Sequence, residues 1–315
     1  METGRPTSGV RTARAIATAV TLALLAVVSL ASLAGASPAK QRMIDAAHFV
    51  YYESPSSVGA FLFSESDCVF GDHHFGVGGG VLLPFDYQPA RLLNNTPVEA
   101  FGNTGGWLVT IKGKGADNPT TVTTFEICTS VRTTVRSASF EVPADGKAHS
   151  KTVSCGKNER ALSGGVSNYP GKTELNGSRS IVGGYPVDGP DKGHARGDAW
   201  QVTSRASRKI AKRARASVFC VKASKMRVRY RHLDFVAQKG DFAGVYVDCK
   251  ASEQVTGGGI QLAKPKPGIQ VTTSAPFDSS ADPDSIRSNR WGTVVDGTDQ
   301  GKVDATNWAV CAKVL

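Results

Sequence analysis

Gly78-Gly79-Gly80-Val81 lies shortly after Cys68, Ser163-Gly164-Gly165-Val166 after Cys155, and Gly257-Gly258-Gly259-Ile260 after Cys249. One glycine run says little. Three of them, each behind a cysteine and each closed by a β-branched residue, define a period. Working outward, each run is followed by a proline (Pro97, Pro186, Pro276), a tryptophan (Trp107, Trp200, Trp291) and a second cysteine (Cys128, Cys220, Cys311). First to second cysteine spans 60, 65 and 62 residues, and tryptophan to second cysteine 21, 20 and 20. Each second cysteine is approached on an apolar stretch: Phe125-Glu126-Ile127, Ser217-Val218-Phe219 and Trp308-Ala309-Val310. Markers that keep one order and near-constant spacing three times over imply a triplicated chain.

The repeats read as β. A hydrophobic fraction of 40% across 315 residues supports a folded core and excludes wholesale disorder, while 34 Gly and 15 Pro favour turns and short strands over long helices. Phe140-Glu141-Val142 runs into the turn sequence Pro143-Ala144-Asp145-Gly146 and returns through Thr152-Val153-Ser154, a hairpin signal. Alternation from Met226 to Tyr230 predicts a strand with a basic face, and the segments starting at Trp107 and Trp200 are strand-like. Glycine runs inside strand context predict bulges or close backbone approach. A phosphate-cradling loop would need a helix behind it, and no repeat offers one.

The N-terminus is basic at Arg5, Arg11 and Arg14, apolar from Ala15 to Ala34, and closes on Ala34-Gly35-Ala36, the pattern of a secretory signal peptide over residues 1–36. Export places six cysteines in an oxidising compartment. The repeat phase selects one of their fifteen pairings: Cys68–Cys128, Cys155–Cys220 and Cys249–Cys311. A zinc site would want Cys or Cys/His pairs at zinc-ligand spacing, and the sequence offers none. The domains expected are repeat 1 over 37–128, repeat 2 over 129–220 and repeat 3 over 221–315. The fold class expected is all-β, as three tandem disulfide-closed β-sandwich-like repeats of about 90 residues. A single pseudo-threefold β-prism is the alternative.

The Cys–Gly-Gly-Gly–Pro–Trp–Cys pattern resembles β-repeat modules of secreted bacterial proteins, notably actinobacterial ones, and modules near the tips of some pilus and phage-tail adhesins. The resemblance covers all three repeats, from about Met43 to Leu315. It implies a secreted β module with a binding role and carries no catalytic residue over. The prism alternative is similar to the vitelline-membrane outer-layer proteins.

No His-Glu-x-x-His stretch, Gly-x-Ser-x-Gly elbow or Walker-type loop is present, so no catalytic residue, cofactor or metal is assigned. Asp72-His73-His74 reads as a polar loop, Arg196-Gly197-Asp198 as a chance triplet, and Asp278 to Asp284 as a solvated turn without calcium-ligand spacing. Charge is more informative. The net charge is −5 over residues 41–128, +9 over 129–220 and +3 over 221–315. Between Asp198 and Asp234 there are eleven Lys and Arg and no acid. Clustered like charge opposes folding, so the functional reading of such a run is a polyanion footprint; the plainer alternative is a solvated loop with incidental charge. The residues expected to carry it are Arg205, Arg208, Lys209, Lys212, Arg213, Arg215, Arg227, Arg229 and Arg231. The expected partner is an anionic wall polymer, polysaccharide or lipid surface. Nucleic acid is disfavoured, since the chain is exported and few aromatics accompany the basic residues. The function expected is extracellular, non-enzymatic binding or adhesion; a secreted hydrolase with an unrecognised site is the alternative.

Overall fold

A computed structural model describes residues 44–52, 61–68, 75–83, 91–98, 106–112, 121–168, 179–189, 197–206, 212–237, 242–278, 288–296 and 302–315. The signal segment lies outside these residues. Every described regular element is a strand. Repeat 1 contributes β1 (Ile44–Tyr52), β2 (Phe61–Asp67), β3 (Phe75–Leu82), β4 (Arg91–Val98), β5 (Gly106–Lys112) and β6 (Thr121–Thr129). Repeat 2 contributes β7 (Thr134–Val142), β8 (Ala148–Ser154), β9 (Glu159–Ser167), β10 (Arg179–Val187), β11 (Ala199–Ala206) and β12 (Lys212–Lys222). Repeat 3 contributes β13 (Met226–Ala237), β14 (Phe242–Asp248), β15 (Gln254–Leu262), β16 (Gln270–Asp278), β17 (Ser288–Asp296) and β18 (Val303–Val314).

The strands form three six-stranded sheets in the orders β1-β6-β3-β16-β17-β14, β2-β5-β4-β9-β12-β7 and β13-β18-β15-β10-β11-β8. Each sheet joins three strands of one repeat to three of another, and the half-sheet orders are the same in all three repeats. The all-β expectation holds, but the repeats are not separate beads, because every sheet is shared between two of them. The arrangement corresponds to the pseudo-threefold alternative. At the seams the ladders are brief: Ser274 pairs with Val81, Gly184 with Ile260, and Asn94 and Asn95 with Ser167 and Val166.

The glycine runs explain this geometry. The middle glycine of each run lies under the tryptophan of its own repeat, so that a Cβ at Gly79, Gly164 or Gly258 would run into Trp107, Trp200 or Trp291. The third glycine faces the seam, where a Cβ at Gly80, Gly165 or Gly259 would meet the backbone oxygen of Ser274, Asn95 or Gly184. The first position brings the three repeats together: a Cβ on Gly78 would meet Thr256 O, and one on Gly257 would meet the Ser163 side chain. Ser163 occupies this position in repeat 2, and its hydroxyl donates to Val77 O at 2.7 Å. Register shifts beside Gly78, Ser163 and Gly257 are the expected bulges.

Trp107, Trp200 and Trp291 are 2%, 1% and 1% exposed, which makes them core residues rather than a surface platform. Trp107 also stacks on Phe219 of repeat 2, with ring centroids 6.3 Å apart, so the core is continuous between repeats. The cysteines pair as their phase predicts, Cys68–Cys128, Cys155–Cys220 and Cys249–Cys311. The expected β7–β8 hairpin is corrected. The turn is present, with Gly146 at φ 74°, but β7 pairs with β12 and β8 with β11 in another sheet. The turn carries the chain across the sandwich, because each strand already has a partner inside its own half-sheet.

Candidate functional site: cations of the second and third repeats

The structure puts the nine predicted cations in different settings. Arg208 and Lys209 lie outside the described residues, and of Lys212 only the strand backbone is described. Arg205 is a clamp rather than a docking group. It is 8% exposed, and its Nη1 and Nη2 donate to Lys266 O at 2.6 Å and Pro265 O at 2.7 Å, tying the end of β11 to the β15–β16 connection of repeat 3. Burial pulls its guanidinium below the usual arginine range. Nothing in residue type separated it from its neighbours; only the approach of another repeat did.

Arg231 is likewise engaged. Its Nη2 lies 3.0 Å from Glu253 Oε2, which also accepts from Lys250 N. Burial alone would raise Glu253, but the Lys250 N–H and Arg231 outweigh it and hold the carboxyl below the ordinary range. Arg136 and Glu159 repeat the motif in repeat 2 at 3.0 Å. In repeats 2 and 3 a glutamate four residues after the first cysteine thus closes the turn and holds the edge strand. The Cys-x-x-x-Glu spacing at Cys155 and Cys249 is the sequence signal for this motif.

Exposed cations remain on two sheets. Arg213 and Arg215 alternate on β12 with buried Ala214 and Ala216, so they occupy its outer face; Arg213 stands opposite Glu141 and Arg215 opposite Ser139. Arg227 and Arg229 are exposed on the edge strand β13. Arg227 is directly opposite Lys313 of β18, and Arg229 is opposite Cys311. Lys313 was not among the expected residues, although its exposed place beside buried Ala312 follows the strand alternation. Like charges placed directly opposite each other in a ladder are destabilising, so the Arg227–Lys313 pair is not explained by sheet stability.

Asp72, His73, His74 and Arg196 lie outside the described residues. Two described groups bring two cysteines and a glutamate together: Cys68, Glu126 and Cys128, and Cys155, Glu159 and Cys220. In both, the sulfurs are joined as a disulfide and offer no thiolate to a metal. Among the described residues no helix is long and apolar enough to cross a membrane.

Fold and site together define a class: a disulfide-bonded all-β protein of three interlocked repeats, with cations exposed on β12 of the second repeat and on β13 and β18 of the third. No model of a known protein family matches the chain, and no curated protein matches it in sequence.

Proposed function

We propose that the protein is a secreted, non-enzymatic binding protein that holds anionic surface polymers on the exposed cations of repeats 2 and 3. The observation that carries this is the like-charged pair Arg227–Lys313, with exposed Arg229 beside it on the same strand. Such a pair costs folding energy and is relieved by an anion. The signal-type N-terminus, the three disulfides and the resemblance to secreted bacterial β-repeat modules support an extracellular setting.

The test is binding to a polyanionic wall polymer or a heparin-like polymer as ionic strength is raised. Exposed charges are screened over a Debye length of about 10 Å at 0.1 M salt and about 3 Å at 1 M, so affinity should fall steeply. Arg227→Gln/Arg229→Gln/Lys313→Gln should weaken binding and flatten the salt dependence while leaving thermal stability unchanged or raised. Equal binding by this variant, or indifference of the wild type to polyanions at low salt, would overturn the reading.

A further inference from the structure

A second cationic feature lies outside the arginines of β12 and β13. A cavity of about 680 Å³ opens where the segment joining β6 to β7, the end of β12, the β12–β13 turn and the end of β18 meet. Its size is that of small-molecule sites. Arg132, Lys222 and Lys225 line it, and all three are exposed with no ion pair among the described residues. They come from two connections of the chain: Arg132 from the first inter-repeat connection, and Lys222 and Lys225 from the two ends of the β12–β13 turn, closed by Lys225 N donating to Lys222 O at 2.9 Å.

The glutamate at this wall does not neutralise them. Glu159 stands opposite Lys222 in the ladder, but its Oε2 already accepts from Arg136 Nη2 at 3.0 Å and from Gly156 N at 2.6 Å. Leu315 N donates to Lys225 O at 3.1 Å, which holds the segment after β18 against the β12–β13 turn at the cavity wall. Three cations beside a glutamate already engaged elsewhere leave an excess of positive charge.

The rest of the lining is of another kind. Val131 and Val314 contribute apolar surface, and Leu315 is 65% exposed, the most exposed of the large hydrophobic residues on the described surface. Ser130 Oγ, also at this wall, is buried without a hydrogen-bond partner. A bare anion would use the cations and leave the apolar surface wet. A neutral apolar molecule would cover that surface and leave the cations unmatched.

We infer that this cavity binds a single anionic amphiphile, with the acidic headgroup held by Arg132, Lys222 and Lys225 and the apolar body against Val131, Val314 and Leu315. Ser130 Oγ supplies a further hydrogen bond to the headgroup. The inference goes beyond the polymer reading and does not rest on it, because it uses different residues.

Titration calorimetry on the purified, disulfide-bonded protein tests it, with dodecyl phosphate below its aggregation concentration as the probe. Saturable one-to-one binding is expected, with inorganic phosphate and dodecyl maltoside each at least tenfold weaker. Arg132→Gln/Lys222→Gln/Lys225→Gln should lose at least tenfold in affinity with an unchanged melting temperature, since all three side chains are exposed. Leu315→Asn, at an exposed position that does not threaten folding, should weaken binding severalfold. Arg227→Gln/Arg229→Gln, which addresses polymer binding, should leave dodecyl phosphate affinity intact. Equal affinity for dodecyl maltoside or for inorganic phosphate would overturn the inference. So would retained affinity in the triple variant, or equal losses in the Arg227/Arg229 variant.

Discussion

Trp107 donates its indole N–H to Asn95 Oδ1 at 2.7 Å, and Trp291 donates to Ser274 Oγ at 3.2 Å. Both acceptors stand two residues before the repeat proline. In repeat 2 that place is Gly184, and Trp200 Nε1 is buried with no partner. An unsatisfied buried donor costs about 1–3 kcal/mol. Gly184→Ser would supply the acceptor that repeat 3 already has. Its Cβ would lie 3.2 Å from Trp200 Nε1, so the neighbour must give slightly. The expected outcome is a gain of about 1 kcal/mol, a melting temperature higher by about 2–4 °C. A lower melting temperature in a scanning experiment would mean that the close Cβ outweighs the new bond. The repeated tryptophan was legible from spacing. Its missing partner was not, because which residue sits over an indole depends on how two half-sheets face each other.

Between elements, Tyr230 of β13 is the clearest inter-repeat tie. Its hydroxyl proton lies between Ala161 O, at 2.9 Å, and Gly197 O, both in repeat 2. Gly197 has φ 87°, and a Cβ there would collide with the Tyr230 ring, so glycine is required on both counts. Burial pushes the phenol far above its ordinary range. In the unfolded chain the phenol ionises near pH 10. Above that pH the unfolded state binds fewer protons than the folded state, so stability falls as pH rises. Tyr230→Phe should cost about 1–2 kcal/mol at pH 7 by removing the bond, and should lose less than the wild type on going from pH 7 to pH 11. Denaturant unfolding of both proteins at the two pH values measures this; parallel losses would show that Tyr230 is not the group responsible. The Met226–Tyr230 alternation predicted this strand. It also put Tyr230 on the face opposite Arg227 and Arg229, but it did not show that repeat 2 would cover that face, since that depends on which neighbour overlies the strand.

Across the whole molecule, the seams decide what one repeat can do alone. Asn168 donates from its backbone N to Asn94 Oδ1 and from Nδ2 to Leu93 O, both at 2.8 Å, and Arg205 clamps repeat 2 to repeat 3. Excised as residues 129–224, repeat 2 would expose the seam edges of β9 and β10 together with Phe219, the stacking partner of Trp107. Unpaired edges of this kind associate. The excised repeat should therefore self-associate or aggregate even with Cys155–Cys220 formed, and size-exclusion chromatography with light scattering reads this directly. A monomeric fragment with a cooperative melting transition would restore the picture of independent modules. The period, the strand character and the disulfide partners were all legible in the sequence, because each rests on spacing, alternation or phase along one chain. Only the tertiary structure decided that the sheets cross from one repeat into another, that Arg205 is a clamp and that Arg132 shares a cavity with Lys222 and Lys225. Those facts depend on contacts between residues far apart in the chain, and local pattern does not encode which glycine-lined edge meets which.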